Sequence, residues 1–373
     1  MAGTFGTVGF FVALVAVIVV HELAHFGVAK AFGIKVTEFF VGFGPRVWST
    51  RRGETEYGFK WIPAGGYVKI AGMNPYETEA PEDLPRTFGA KPIWERALVI
   101  VAGPATHFVL AFVLFALWLG FVGQPVSNSP LIDAVAPTLG GAQSPAAAAS
   151  LRPGDRIVAI GGIQDPTDEQ LVGYTREHVG EPIPFVIERD GERFTVTLAP
   201  VLATVEGEQV GRIGVLLGWA REETGVVGSI TGGGRLVWNA LGDTVGNLGR
   251  IFGPEGIGRV FRLVFTDAPR ETTDPASVVG IGQLASQTAS GGNAGDLLFL
   301  FAIVNVFIGF LNLLPLPPFD GGHLAMLAIE KVRGRAVDMR KVIPISVAVA
   351  AFFIIFTVSI VYLDIVKPIS LSP

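Results

Sequence analysis

His21-Glu22-Leu23-Ala24-His25 has residue types and a spacing that could hydrolyse a bond. On a helix, positions i and i+4 lie about 40° apart, so both imidazoles can reach one cation. Glu22 then sits beside that cation, where a carboxylate can take a proton from an attacking water. Two histidines leave a catalytic zinc one protein ligand short, because such sites hold three and keep a position open. The setting is unusual for this chemistry. No Asp, Glu, Lys or Arg precedes His21 in the chain. Ionisable groups at the end of an apolar span are costly, which makes them functional candidates by default. The bland alternative is a pair of buried or capping histidines.

The missing ligand is best sought in Asn312-Leu313-Leu314-Pro315-Leu316-Pro317-Pro318-Phe319-Asp320-Gly321-Gly322. Pro315, Pro317 and Pro318 cannot continue a helix, so the chain must unwind within an apolar stretch. Irregular backbone at membrane depth is tolerated only when protein covers it or it lines a wet cavity. Asp320 follows the break and is the candidate third ligand, and Gly321-Gly322 allow close backbone approach. Read alone, Asp320 could equally stop a helix at the headgroups. Asn312 is polar within an apolar run. It could bind substrate backbone, stabilise an oxyanion, or bond a neighbouring helix.

The elements that must bring these residues together are membrane spans. The chain has 373 residues, of which 50% are hydrophobic and 16% charged, with a mean hydropathy of +0.50. Soluble proteins are about 25% charged. The net charge of −5 and the lack of a basic block argue against nucleic acid as a partner. There is no cysteine, so metal ligands must be His, Asp or Glu. Four stretches have the ~20 apolar residues a bilayer requires: 5–25, 97–121, 297–319 and 342–363. The expected fold class is therefore an α-helical polytopic membrane protein with about four spans.

The loops after the first and third stretches hold most of the Lys and Arg, which predicts a cytoplasmic location for both. Both termini and the long insert between spans two and three then lie outside. His21, His25 and Asp320 come to one depth near the cytoplasmic leaflet. The parts are 1–125 and 296–373 as membrane core, 126–203 as an external domain, and 204–295 as an amphipathic linker. In 126–203, Phe185–Glu188 and Phe194–Leu198 flank Asp190-Gly191, a hairpin signal. In the linker, Trp238, Leu241, Val245, Leu248 and Phe252 recur at helical spacing, as on a helix lying at the outer membrane surface or packed on the external domain. Tyr57, Phe59 and Trp61 alternate in a β-segment after span one. An edge strand there, around Gly65, Gly66 and Tyr67, could hold an extended substrate by backbone bonds. Tyr76–Pro85 is acidic and reads as a mobile loop.

Together these elements resemble the site-2 protease family of intramembrane zinc metalloproteases. The family pairs HExxH in its first span with NxxPxPxxDG in a later one, and His21–His25 and Asn312–Gly321 match both in full. Gly42-Phe43-Gly44-Pro45 and Gly65-Gly66-Tyr67-Val68-Lys69 resemble the family's membrane-associated β-segment. Leu151-Arg152-Pro153-Gly154-Asp155 resembles PDZ domains of membrane proteases. A single PDZ-like α+β insert is similar to the bacterial branch that regulates the envelope stress response, and Asp274–Gly280 resembles actinobacterial members. The resemblance implies one catalytic Zn2+ held by His21, His25 and Asp320, with Glu22 as general base, in a multi-pass plasma-membrane protein. It implies single-span membrane substrates, such as anti-sigma factors or signal-peptide remnants, cut in regulated intramembrane proteolysis after an upstream site-1 protease. One position departs from the pattern. The family's GPxxN is Gly103-Pro104-Ala105-Thr106-His107 here, and His107 could bond a helix, approach the site or replace the Asn contact. His107 and His323 are candidates for contacts behind the ligands. Two other classes stay open on the residues alone: a divalent-metal transporter, and a catalytically inactive membrane adaptor that binds peptides through its PDZ-like domain.

Overall fold

A computed structural model describes residues 2–139, 141–205, 208–270, 274–290 and 295–369. The chain opens with helix α1 (Ala2–Ala31), then a long irregular hairpin of β1 (Val36–Arg52) and β2 (Thr55–Ile70), two 3-10 turns (Pro81–Arg86, Phe88–Ala90) and α2 (Ile93–Phe121). A mostly β region follows: β3 (Gln124–Val135), β4 (Thr138–Leu139), β5 (Ala142–Gln143), α3 (Pro145–Ala148), β6 (Arg156–Ile160), β7 (Ile163–Gln164), α4 (Asp168–Glu177), β8 (Ile183–Arg189), β9 (Glu192–Leu198), β10 (Val201–Val205), β11 (Glu208–Arg212) and β12 (Val215–Glu222). Helices close the chain: α5 (Val226–Phe252), α6 (Pro254–Phe265), α7 (Val278–Ser290), α8 (Asp296–Asn312), α9 (Asp320–Arg333) and α10 (Met339–Val366).

Among the described residues, three helices are long and apolar enough to cross a bilayer: Val8–Ala31, Ile93–Phe121 and Met339–Val366. The expected span at 297–319 is instead the apolar helix α8, 17 residues long, followed by the proline-bearing loop. The prolines end the helix at Asn312, as their missing N–H groups require. The first span runs on to Ala31, so His21 and His25 lie inside α1 and not at its end. Gly33, left-handed at φ 66°, closes α1, with the Ile34 N–H donating to the Ala29 carbonyl at 2.9 Å.

The chain divides into two compact units. The helical unit comprises 1–118, 229–264 and 275–368. One of its apolar clusters joins the end of α1 (Ala29), the start of β1 (Val36), the end of β2 (Ile70) and the start of α2 (Val99, Ile100), with Leu324 of α9 against it. A buried ion pair clamps α2 to α9: Arg96 donates to both Glu330 oxygens at 2.9 and 2.6 Å. The helix expected at Trp238–Phe252 forms as α5 and belongs to this unit. A Cβ on its Gly233 would lie 3.1 Å from the Ala116 backbone nitrogen, so small residues let the two helices touch. Further along α5, Ala240 packs with Ala111, Phe115 and Ala302, and Phe252 meets Phe352, Phe353 and Phe356 of α10.

The second unit comprises 119–228, 265–274 and 369–373. Its central sheet has the order β12-β3-β6-β8-β9, with β7 on β6. Because β12 pairs antiparallel with β3, the unit extends past the 126–203 read from sequence. The Asp190-Gly191 hairpin forms, with both residues at positive φ, as its tight turn demands. The buried Asp155 carboxylate accepts from the Arg189 guanidinium at 2.5 and 2.7 Å and from the Arg152 N–H at 2.8 Å. That fixes the Leu151–Asp155 turn.

Tyr76–Pro85 is pinned and not a free loop. Lys69 pairs with Glu77 at 3.1 Å, the Gly72 N–H donates to Glu79 at 3.0 Å, and Lys35 pairs with Asp83. Beside it, Glu54 receives Arg86 at 2.7 and 2.8 Å, together with Lys30 from the end of α1. Arg86 first, and Lys30 second, hold the Glu54 carboxyl down to about 2. Such a carboxylate stabilises the fold while ionised and loses that contribution as pH falls from about 4.5 through about 2. Glu54→Gln is expected to lower stability near pH 7 by at most about 1 kcal/mol, since the Arg86 side chain is 43% exposed. The gap to wild type should close in acid. Thermal unfolding in detergent at about pH 7 and about pH 3 checks this, and an unchanged gap is the contrary result.

Candidate metal centre

The two histidines of α1 and the first residue of α9 meet. His21 Nε2 lies 3.3 Å from Asp320 Oδ2, His25 Nε2 lies 3.4 Å from the same oxygen, and the two Nε2 atoms are 3.1 Å apart. Both histidines are buried. Among the described residues, these three form a His/Asp/Glu group able to hold a metal ion.

Local structure explains the meeting. The Asn312–Phe319 break turns the chain so that Asp320 opens α9, where the helix N-terminus favours a carboxylate. The loop folds tightly onto α9. A Cβ on Gly321 would lie 2.2 Å from the Leu313 carbonyl oxygen, and one on Gly322 would lie 2.5 Å from Pro317 N. Gly103 of α2 sits against the imidazoles themselves. A Cβ there would fall 2.2 Å from His25 Nε2 and 2.8 Å from His21 Cε1.

The donor set fits a cation. His25 Nδ1 donates to the Val99 carbonyl at 2.8 Å, so the neutral ring turns a bare Nε2 toward the Asp320 carboxylate. Two acceptors facing each other at 3.4 Å repel unless positive charge lies between them. Bonds of about 2.0–2.1 Å in a tetrahedron require donor separations of about 3.3–3.4 Å, close to the three measured here.

Glu22 stands beside the cluster on α1, next to His21, with β2 alongside it. Gly66 lets that strand approach, for a Cβ there would lie 3.1 Å from Glu22 Cγ. The register places Phe39–Val41 between Tyr57–Phe59 on one side and Gly66–Val68 on the other, so Gly66–Val68 is an outer run. Tyr67 is anchored by its hydroxyl donating to Glu38 at 2.5 Å and by stacking on Phe40.

The other sequence candidates are placed as follows. His107 of α2 is buried against the cluster, with Nε2 3.0 Å from His21 Nδ1. His323 lies one turn into α9, outside the ligand group, and lines a cavity of about 150 Å³ with Gly72, Phe88, Arg96 and Glu330. Asn312 is half-buried at the end of α8 and makes no hydrogen bond to the three ligands among the described residues. Sequence reading missed Asn305, which bonds His107 at 3.2 Å, and the steric role of Gly103. Asn305 is polar in an apolar helix, and that signal could have found it.

The model of Peptidase family M50 matches residues 9–357. The chain belongs to peptidase family M50. This M50 peptidase is 32% identical to the zinc metalloprotease Rip1 of Mycobacterium tuberculosis over 98% of both chains. It is 30% identical to the zinc metalloprotease RasP of Geobacillus kaustophilus over 90% of this chain and 91% of that one. It is 32% identical to the metalloprotease MmpA of Caulobacter vibrioides over 88% and 89%. With its apolar helices, the family makes this a membrane-embedded peptidase.

The close fit of Gly103 generates a test. Gly103→Ala is expected to push the imidazoles apart and reduce bound metal at least ~10-fold while leaving helix content intact. Metal analysis beside circular dichroism checks this. Full metal content in the variant would contradict the fit.

Proposed function

We propose that this chain is an intramembrane zinc endopeptidase that cuts the transmembrane segments of single-span proteins. The observation that carries the reading is the convergence of His21, His25 and Asp320 at 3.1–3.4 Å beside Glu22. These three side chains would hold one zinc ion. When bound, zinc supplies a Lewis acid for the scissile carbonyl and lowers the pKa of a water toward ~7. Glu22 takes the proton of the attacking water and returns it to the leaving amine.

A helical substrate hides its carbonyls in its own hydrogen bonds, so it must be extended before attack. The outer run Gly65-Gly66-Tyr67, beside Glu22, offers backbone groups to an added strand. Asn312 is the candidate donor to the substrate or its oxyanion. His323 would act behind the ligands. The basic residues that follow α1, and those from Lys331 to Lys341 spanning the end of α9 and the start of α10, support a cytoplasmic depth for the site, with both termini and the PDZ-like unit outside. That unit would admit or bind substrates already trimmed by an upstream site-1 protease. Membrane-bound anti-sigma factors and signal-peptide remnants are the substrate classes this reading favours.

The test is cleavage of a tagged single-span substrate in liposomes by wild type and Glu22→Gln, with zinc measured in both. The variant should keep its zinc and lose at least ~100-fold in rate. Equal cleavage by the two proteins would refute the role of Glu22.

A further inference from the structure

The two imidazoles of the cluster are held from behind in different ways. His25 Nδ1 ends on a backbone carbonyl, that of Val99 at 2.8 Å. His21 Nδ1 faces another imidazole, with His107 Nε2 at 3.0 Å. His107 Nδ1 in turn faces Asn305 Oδ1 at 3.2 Å, and Asn305 Nδ2 donates to the Phe301 carbonyl at 2.7 Å. His107 is 2% exposed and Asn305 1%, so neither side chain faces bulk solvent.

The direction of this chain follows from its last member. A carbonyl only accepts, so Asn305 must present its NH2 to Phe301. Its oxygen is then left for His107. That oxygen also only accepts, so the proton of neutral His107 sits on Nδ1. The bare Nε2 of His107 accepts from His21 Nδ1–H. His21 Nε2 is therefore bare, and it is the atom that points at Asp320 and His25. Both nitrogens of His107 are committed, which leaves none to ligate an ion.

We propose that His107 and Asn305 are positioning residues that hold His21 in its metal-ligating tautomer and so determine how tightly this site binds its ion. The proposal rests on the metal-site reading above. A separate packing feature makes the relay reachable. A Cβ on Gly309, one turn after Asn305, would lie 2.9 Å from His107 Cβ, so α8 touches α2 at this level.

The test measures zinc affinity of the full-length protein in detergent by competition with a chromogenic chelator. The variants are His107→Phe, His107→Gln, Asn305→Leu and, as a ligand control, His25→Ala. The metal-free thermal midpoint of each is recorded. Outer partners of ligating histidines typically account for 10–100-fold in metal affinity. His107→Phe and Asn305→Leu should each weaken zinc by about that factor, with metal-free midpoints close to wild type. His107→Gln, whose amide oxygen reaches to the same place, should recover most of the affinity. If His107→Phe binds zinc like wild type while His25→Ala does not, the relay is wrong and the metal site stands. If His107→Gln fails to recover affinity and the metal-free midpoint falls in step, His107 only fills space and the relay is again wrong. If wild type binds no zinc, the metal site fails and the relay with it.

Discussion

The structure is organised around the meeting of three electron-pair donors at one point. A bare imidazole nitrogen and a carboxylate oxygen face each other in a buried place, with a second imidazole nitrogen closing the triangle. Burying such acceptors without a partner is expensive, and the cost grows as the surroundings become less polar. Only a cation answers all three. Much of the helical unit can be understood as holding this triangle shut. The Arg96–Glu330 pair aligns α2 with α9, and the apolar cluster around Ala29, Val99 and Ile100 aligns α1 with α2. Glycines remove the side chains that would otherwise force the helices apart.

Those glycines act at specific contacts. Gly103 permits α2 to lie directly on the imidazoles, and Gly321 and Gly322 permit the proline loop to double back on α9. Apolar packing is weakly directional, so it draws helices together without choosing their separation. Glycine at a contact point does choose it. In this way helices far apart in sequence come close enough for His21, His25 and Asp320 to meet.

The β-hairpin has an equally definite relation to the site. Gly66 of its outer run brings the strand against the side chain of Glu22, where a Cβ would lie 3.1 Å from Glu22 Cγ. That run is the outer one of its sheet among the described residues, and it lies beside the residue for which a proton-transfer role is proposed. Helix α5 shows a different lesson. Its apolar periodicity was plain, yet periodicity says only that one face is covered. What covers that face is decided by contacts such as those of Gly233 and Ala240, whose small size lets α2 and α8 approach.

The sequence by itself determined the chemistry. HExxH places two imidazoles on one helical face whatever the fold, because helix geometry is local. Three prolines before Asp320 force a break whatever surrounds it. The long apolar runs report a membrane protein, and the Asp190-Gly191 turn encodes its hairpin. Tertiary structure decided everything that depends on separation across helices. Those outcomes include the meeting of Asp320 with the histidines, the shortened α8, the course of α5, and the inclusion of β12 in the sheet. The commitment of His107 to His21 and Asn305 was also beyond reach, for His107 could equally have bonded any neighbouring helix. The physical reason is range. Backbone hydrogen bonding and proline stereochemistry act within one turn of chain, whereas a relay across α1, α2 and α8 exists only once packing has brought the helices together.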